Sequence, residues 1–116
     1  MRDQDPGVIR NLLHNPRVTE SEVLKLASRN PVSPRILEEV AYAERWISRY
    51  RLKLALVLNP CTPRNISTLL LGLLMVQDLP RVMERQQLPI VLRRHARKLR
   101  QERWEEVRGG TSGDLE

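Results

Sequence analysis

Asn59-Pro60-Cys61-Thr62-Pro63 is the phrase that decides the fold, because the chain writes it repeatedly. Asn15-Pro16-Arg17-Val18-Thr19 and Asn30-Pro31-Val32-Ser33-Pro34 are versions of it, and Arg85-Gln86-Gln87-Leu88-Pro89 keeps its final proline. An apolar run with helical spacing follows each copy. A residue before proline is pushed out of the α region, so Asn-Pro ends one helix. Ser-Pro or Thr-Pro then opens the next, with a cap followed by a proline at the first helical position. A turn phrase that recurs between helices marks a helical repeat array. From Asn30 to Asn59 is 29 residues and from Asn59 to Arg85 is 26, which fits a helix pair per repeat. The shorter step from Asn15 to Asn30 fits a single helix at the start of the array.

Working outward, Asp5-Pro6 opens a first helix with Val8, Ile9, Leu12 and Leu13 on one side. Thr19 and Glu22 have the form of a capping box before a second helix carrying Val23, Leu24, Leu26 and Ala27. Ser33-Pro34 opens a third with Ile36, Leu37, Val40 and Ala41, and a bend is expected between Glu44 and Ser48. A fourth helix from Ser48 holds Leu52, Leu54, Ala55, Leu56 and Leu58. Thr62-Pro63 opens a fifth, whose run from Leu69 to Met75 is apolar around nearly its whole circumference and predicts burial between neighbours. Asp78-Leu79-Pro80 begins a short sixth helix, and Pro89 opens the last, which is expected to reach about Val107. Hydrophobic residues make up 41% of the 116, without a single Phe, so the core is aliphatic. The expectation is an all-α chain of six or seven helices, one domain over 1–108, with a flexible Gly-rich tail over 109–116.

The segment Leu54-Ala55-Leu56-Val57-Leu58-Asn59-Pro60-Cys61-Thr62-Pro63 resembles the leucine-rich repeat variant family and its HEAT-like relatives. The likeness covers roughly residues 8 to 100. It implies a short right-handed α-solenoid, and modules of that kind usually bind proteins and sometimes nucleic acid. In leucine-rich repeat variant proteins a cysteine cluster outside the repeats can hold an iron–sulfur centre. Cys61 is the only cysteine here, so that feature does not carry over.

Charge points to the far end of the chain. The formal net charge is +6 and the pI about 10.4, a balance that favours acidic partners. Between Arg85 and Arg108 eight Arg/Lys face three Glu. Arg93, Arg94, Arg97, Lys98 and Arg100 form a cationic strip on a helix, opposite Leu92, Ala96 and Leu99. Guanidinium groups in a row can follow a phosphate backbone with paired hydrogen bonds, or meet carboxylates on a protein. The same strip also reads as a solvated face with pairs such as Lys98 to Glu102. The strip has no interleaved aromatics, which argues against single-strand recognition by base stacking. Trp104 follows it and is the better of the two tryptophans as an interface anchor, a role in which Trp and Arg are enriched. Trp46, between Arg45 and Arg49, reads either as an anchor or as the cover of a small core.

Nothing points to catalysis. His14 and His95 lack partners at metal-ligand spacing, Gly7 and Gly72 are isolated rather than part of a phosphate loop, and no nucleophile–base pair is placed. No metal or cofactor is expected. One cysteine and a polar start, Arg2 to Pro6, fit a cytoplasmic protein without a secretory signal. The run from Leu69 to Val76 is too short to span a bilayer, which needs about 20 residues. The sequence therefore reads as a non-enzymatic interaction module whose partner is a protein with an acidic face, with nucleic acid as the alternative. So few repeats leave faces open at the ends, so self-association is also in view. Whether the chain is part of a longer protein is left open.

Overall fold

A computed structural model describes residues 5–115, with side chains through Glu106. The described residues are helical, without strand: α1 (Pro6–His14), α2 (Glu20–Ala27), α3 (Pro34–Tyr42), α4 (Glu44–Ile47), α5 (Tyr50–Leu58), α6 (Arg64–Leu71), α7 (Leu79–Glu84) and α8 (Ile90–Leu115). A single 3₁₀ turn, Val76–Asp78, leads into α7. Where a bend is expected between Glu44 and Ser48 there is a separate short helix, α4, which is why the described residues hold eight α-helices where six or seven are expected. The tail expected over 109–116 falls where side chains lie outside the described residues.

The turn phrases act as the sequence dictates, with two differences. Asp5 caps α1 through Gly7 N–H, and Thr19 and Glu22 form a reciprocal capping box on α2. Asn15 and Asn59 each bond the N–H two residues on, at 2.9 and 2.8 Å, closing the turn after their helix. Ser33 sits at the N-cap of α3 but makes no capping bond. Thr62 also does not cap α6. Its hydroxyl instead donates to the Leu56 carbonyl at 2.7 Å, a second bond to an oxygen that also accepts from the Asn59 N–H at the end of α5.

The core is aliphatic and continuous. α5 is its centre, with Leu52, Leu56, Val57 and Leu58 buried and contacts to α2, α3, α6 and α7. α1 packs on α3, α2 on α5, and α7 on α8. α6 corrects the expectation of burial on all sides. Leu70, Leu71 and Leu74 are buried, but Leu69 is 73% exposed and Leu73 60%. The helix packs mainly on α5 and α8, which leaves Leu69 turned to solvent.

One regularity runs through the whole molecule. Among the described residues, every side-chain hydrogen bond that joins separate segments spans 25 to 33 residues. Trp46 reaches the Leu13 carbonyl at the end of α1, Asn59 reaches Ala27 and Arg29 at the end of α2, and Arg103 reaches Gly72 and Leu74 past the end of α6. A helix end leaves carbonyls without intrahelical partners, and here a donor about thirty residues downstream satisfies them.

Candidate interaction surface

α8 is placed by a seam rather than by its charges. Leu88, Leu92 and Ala96 are buried, and Leu99 is packed against the core. Arg103 continues the seam and donates to the carbonyls of Gly72 and Leu74, where a cation also complements the negative end of the α6 dipole. The strip predicted from sequence lies away from this seam. Arg94, Arg97, Lys98 and Arg100 are exposed, and among the described residues none of them makes an ion pair, the Lys98–Glu102 pairing included. Arg93 is set apart, half-buried, because its Nε donates to the Leu88 carbonyl at 3.1 Å. Steps of four, three and four residues place Arg93, Arg97, Arg100 and Trp104 on one face, with Arg94 and Lys98 beside them.

The two tryptophans divide the roles open to them. Trp46 is 1% exposed, donates from Nε1 to the Leu13 carbonyl at 2.8 Å, and carries the guanidinium groups of Arg45 and Arg49 at 4.4 and 5.2 Å from the ring centre. It is a core residue whose polar atom is satisfied. Trp104 is 58% exposed, one residue past the anchor Arg103.

A second surface was not legible in the sequence. A cavity of about 510 Å³ opens between α2, α5 and α7, over the half-buried Leu24, Leu54 and Ala55. Arg51, Arg81 and Arg85 line it, and Asp78 is its carboxylate. Asp78 is already engaged: the Tyr50 hydroxyl donates to it at 2.6 Å, and Arg81 lies 3.9 Å away. Burial, then the bond to Asp78, raises the Tyr50 phenol above its ordinary value. Elements up to sixty residues apart in sequence build this site, so no local motif announces it. The nearest signal is Arg85, which stands where the other turn phrases have Asn.

His14 lies with Nδ1 2.8 Å from the Arg10 carbonyl, and Cys61 is a partly buried thiol that donates to Asn30 Oδ1 at 3.5 Å. Among the described residues no group of three or more His, Cys, Asp or Glu could hold a metal ion, and no helix is long and apolar enough to cross a membrane. Comparison with protein-family models, curated proteins and solved structures finds no match.

Proposed function

We propose that the chain is a non-enzymatic interaction module, a short right-handed α-solenoid of HEAT-like helix pairs whose basic α8 meets a protein with an acidic face. The repeat part of this reading is supported by the cross-segment bonds, which keep to one narrow range of sequence separation. Stacked units touch only their neighbours, and one unit's length is then the natural reach of a tertiary contact.

The binding part is carried by one observation. Among the described residues Arg94, Arg97, Lys98 and Arg100 are exposed without ion-pair partners, beside an exposed Trp104, on a helix held in place by other residues. Cations that do not hold the fold together are free to meet a partner, and an adjacent Trp supplies apolar area that charge alone does not. Trp104 favours a protein over nucleic acid, whose phosphates would engage the cations alone.

Fluorescence anisotropy tests this with two labelled probes, an acidic Glu-rich polypeptide and a random-sequence DNA duplex, each at low and high salt. The proposal expects the polypeptide to bind and the triple substitution Arg94→Glu, Arg97→Glu, Arg100→Glu to abolish that binding. Tight duplex binding that falls steeply with salt would move the assignment to nucleic acid. Unchanged polypeptide affinity in the triple variant would remove α8 as the site.

A further inference from the structure

The groove between α2, α5 and α7 is separate from the α8 strip, and its chemistry is different. Its volume, about 510 Å³, lies within the 300 to 1,000 Å³ of small-ligand sites. Its base is aliphatic, with Leu24, Leu54 and Ala55 partly exposed into it, and its walls are cationic. Three arginines against one carboxylate leave the lining net positive. The Asp78 carboxylate is held by Tyr50 and Arg81, so it is not an open acceptor. Arg51 is only loosely held, because Glu20 makes its close bond to Arg49 at 2.8 Å and stands 3.8 Å from Arg51. Arg85 has no ion pair among the described residues.

We infer that this groove binds a short extended peptide segment in which carboxylate side chains alternate with aliphatic ones. In an extended chain successive side chains point to opposite faces. A segment laid with one face on the floor therefore turns aliphatic side chains to Leu24, Leu54 and Ala55 and holds its carboxylates at the rim, where the long, exposed side chains of Arg51, Arg81 and Arg85 meet them. Guanidinium groups grip carboxylates with two parallel hydrogen bonds, which fixes register as well as charge. The cavity's size limits the segment to a few residues, so the affinity expected is weak, in the micromolar to millimolar range. Such a site gives the module a second handle on a partner, or a handle on a different one.

The probe is a fluorescein-labelled peptide of alternating Glu and Leu, eight residues long, titrated with the full chain. Its Lys/Leu counterpart and an all-Glu peptide of the same length serve as comparisons. The Glu/Leu peptide is expected to bind, the Lys/Leu peptide to show no saturation, and the all-Glu peptide to bind at least fivefold more weakly. The double substitution Arg51→Glu, Arg85→Glu is expected to weaken the Glu/Leu peptide at least tenfold, and Ala55→Phe, which fills the floor without changing charge, to weaken it similarly. Circular dichroism and thermal melts establish that each variant keeps the native helix content. The α8 triple variant should leave this binding within twofold, which separates the groove from the strip. Equal binding by the Lys/Leu peptide, unchanged affinity in the Arg51/Arg85 variant, or loss only in the α8 variant would each overturn the assignment. So would the absence of Glu/Leu peptide binding at millimolar wild-type protein.

Discussion

The Tyr50 hydroxyl donates to Asp78 Oδ2 at 2.6 Å and accepts from the Met75 N–H at 2.9 Å, joining the start of α5 to the 3₁₀ turn before α7. One oxygen thus fixes two points of that turn, and both Tyr50 and Asp78 line the groove. Tyr50→Phe leaves a carboxylate and a backbone donor without their partner and is expected to destabilise the protein by about 1–3 kcal/mol. Urea unfolding followed by far-UV circular dichroism measures it, and a midpoint equal to wild type would contradict it.

The same phenol sets an alkaline limit. Its folded pKa is raised above the ordinary value of 10.0, so the native state holds this proton more tightly than the unfolded chain does. The stabilisation is fully present below pH 10 and disappears as pH rises through the folded pKa. Stability measured from pH 9 upward should fall more steeply for wild type than for Tyr50→Phe. Parallel curves would show that Tyr50 is not the group responsible.

Glu39 works in the opposite direction. The Arg10 guanidinium, paired with it through two bonds of 2.9 Å, holds its carboxyl below the usual range. A depressed folded pKa contributes stability above the unfolded value, and that contribution is lost as pH falls through the folded one. Arg10 is largely exposed, so the effect is small and weakened by salt. Glu39→Gln is expected to flatten the acid side of the stability curve slightly, and more at low ionic strength than at high. A salt-independent difference would point to another origin.

Asn59 is the residue through which the turn phrase does more than end a helix. It is buried, donates to the carbonyls of Ala27 and Arg29 at 2.8 and 2.7 Å, and accepts from the Cys61 N–H. Asn59→Ala strips partners from three backbone groups and is expected to cost about 2–4 kcal/mol. Asn59→Asp keeps the shape but puts a carboxylate against two carbonyls, and should be worse at neutral pH than at pH 4. Thermal melts of both variants at the two pH values check the order.

Arg103→Ala should loosen α8 without unfolding the rest, since Leu88, Leu92 and Ala96 still dock it. Amide hydrogen exchange is expected to quicken over the last described turns of α8 and around Gly72 to Leu74, and to stay unchanged in α1 to α3. Faster exchange throughout would mean that Arg103 supports the whole fold.

Much of this architecture is legible because it is local. Proline, the Thr19–Glu22 pair and the 3.6-residue apolar period name helix starts, stops and inner faces within a few residues of themselves. What escapes is what depends on a neighbour elsewhere in the chain. The run from Leu69 to Leu74 has no polar side to betray which half faces water, so its placement, mainly against α5 and α8, decides that Leu69 and Leu73 are exposed. Thr62 looks like a cap in sequence but bonds backward to the Leu56 carbonyl, since α6 begins at Arg64 and its N-cap position falls on Pro63, one residue later than the phrase suggests. On α8 the period separates the cationic strip from the apolar seam, yet it does not tell Arg93 and Arg103, tied to carbonyls, from Arg97 and Arg100. The groove was invisible because Arg51 stands on α5 while Arg81 and Arg85 stand on α7 and at its C-cap, thirty or more residues on.

The uniform reach of the cross-segment bonds has a bearing on how such a chain changes length. On the proposed helix-pair reading each stitch crosses only one boundary, so copying a block of about thirty residues in tandem is expected to insert a fresh layer and leave older stitches intact, whereas excising half a block is expected to orphan donors and acceptors on both sides of the cut. Growth and loss by whole layers are the changes that this reading expects such a chain to tolerate.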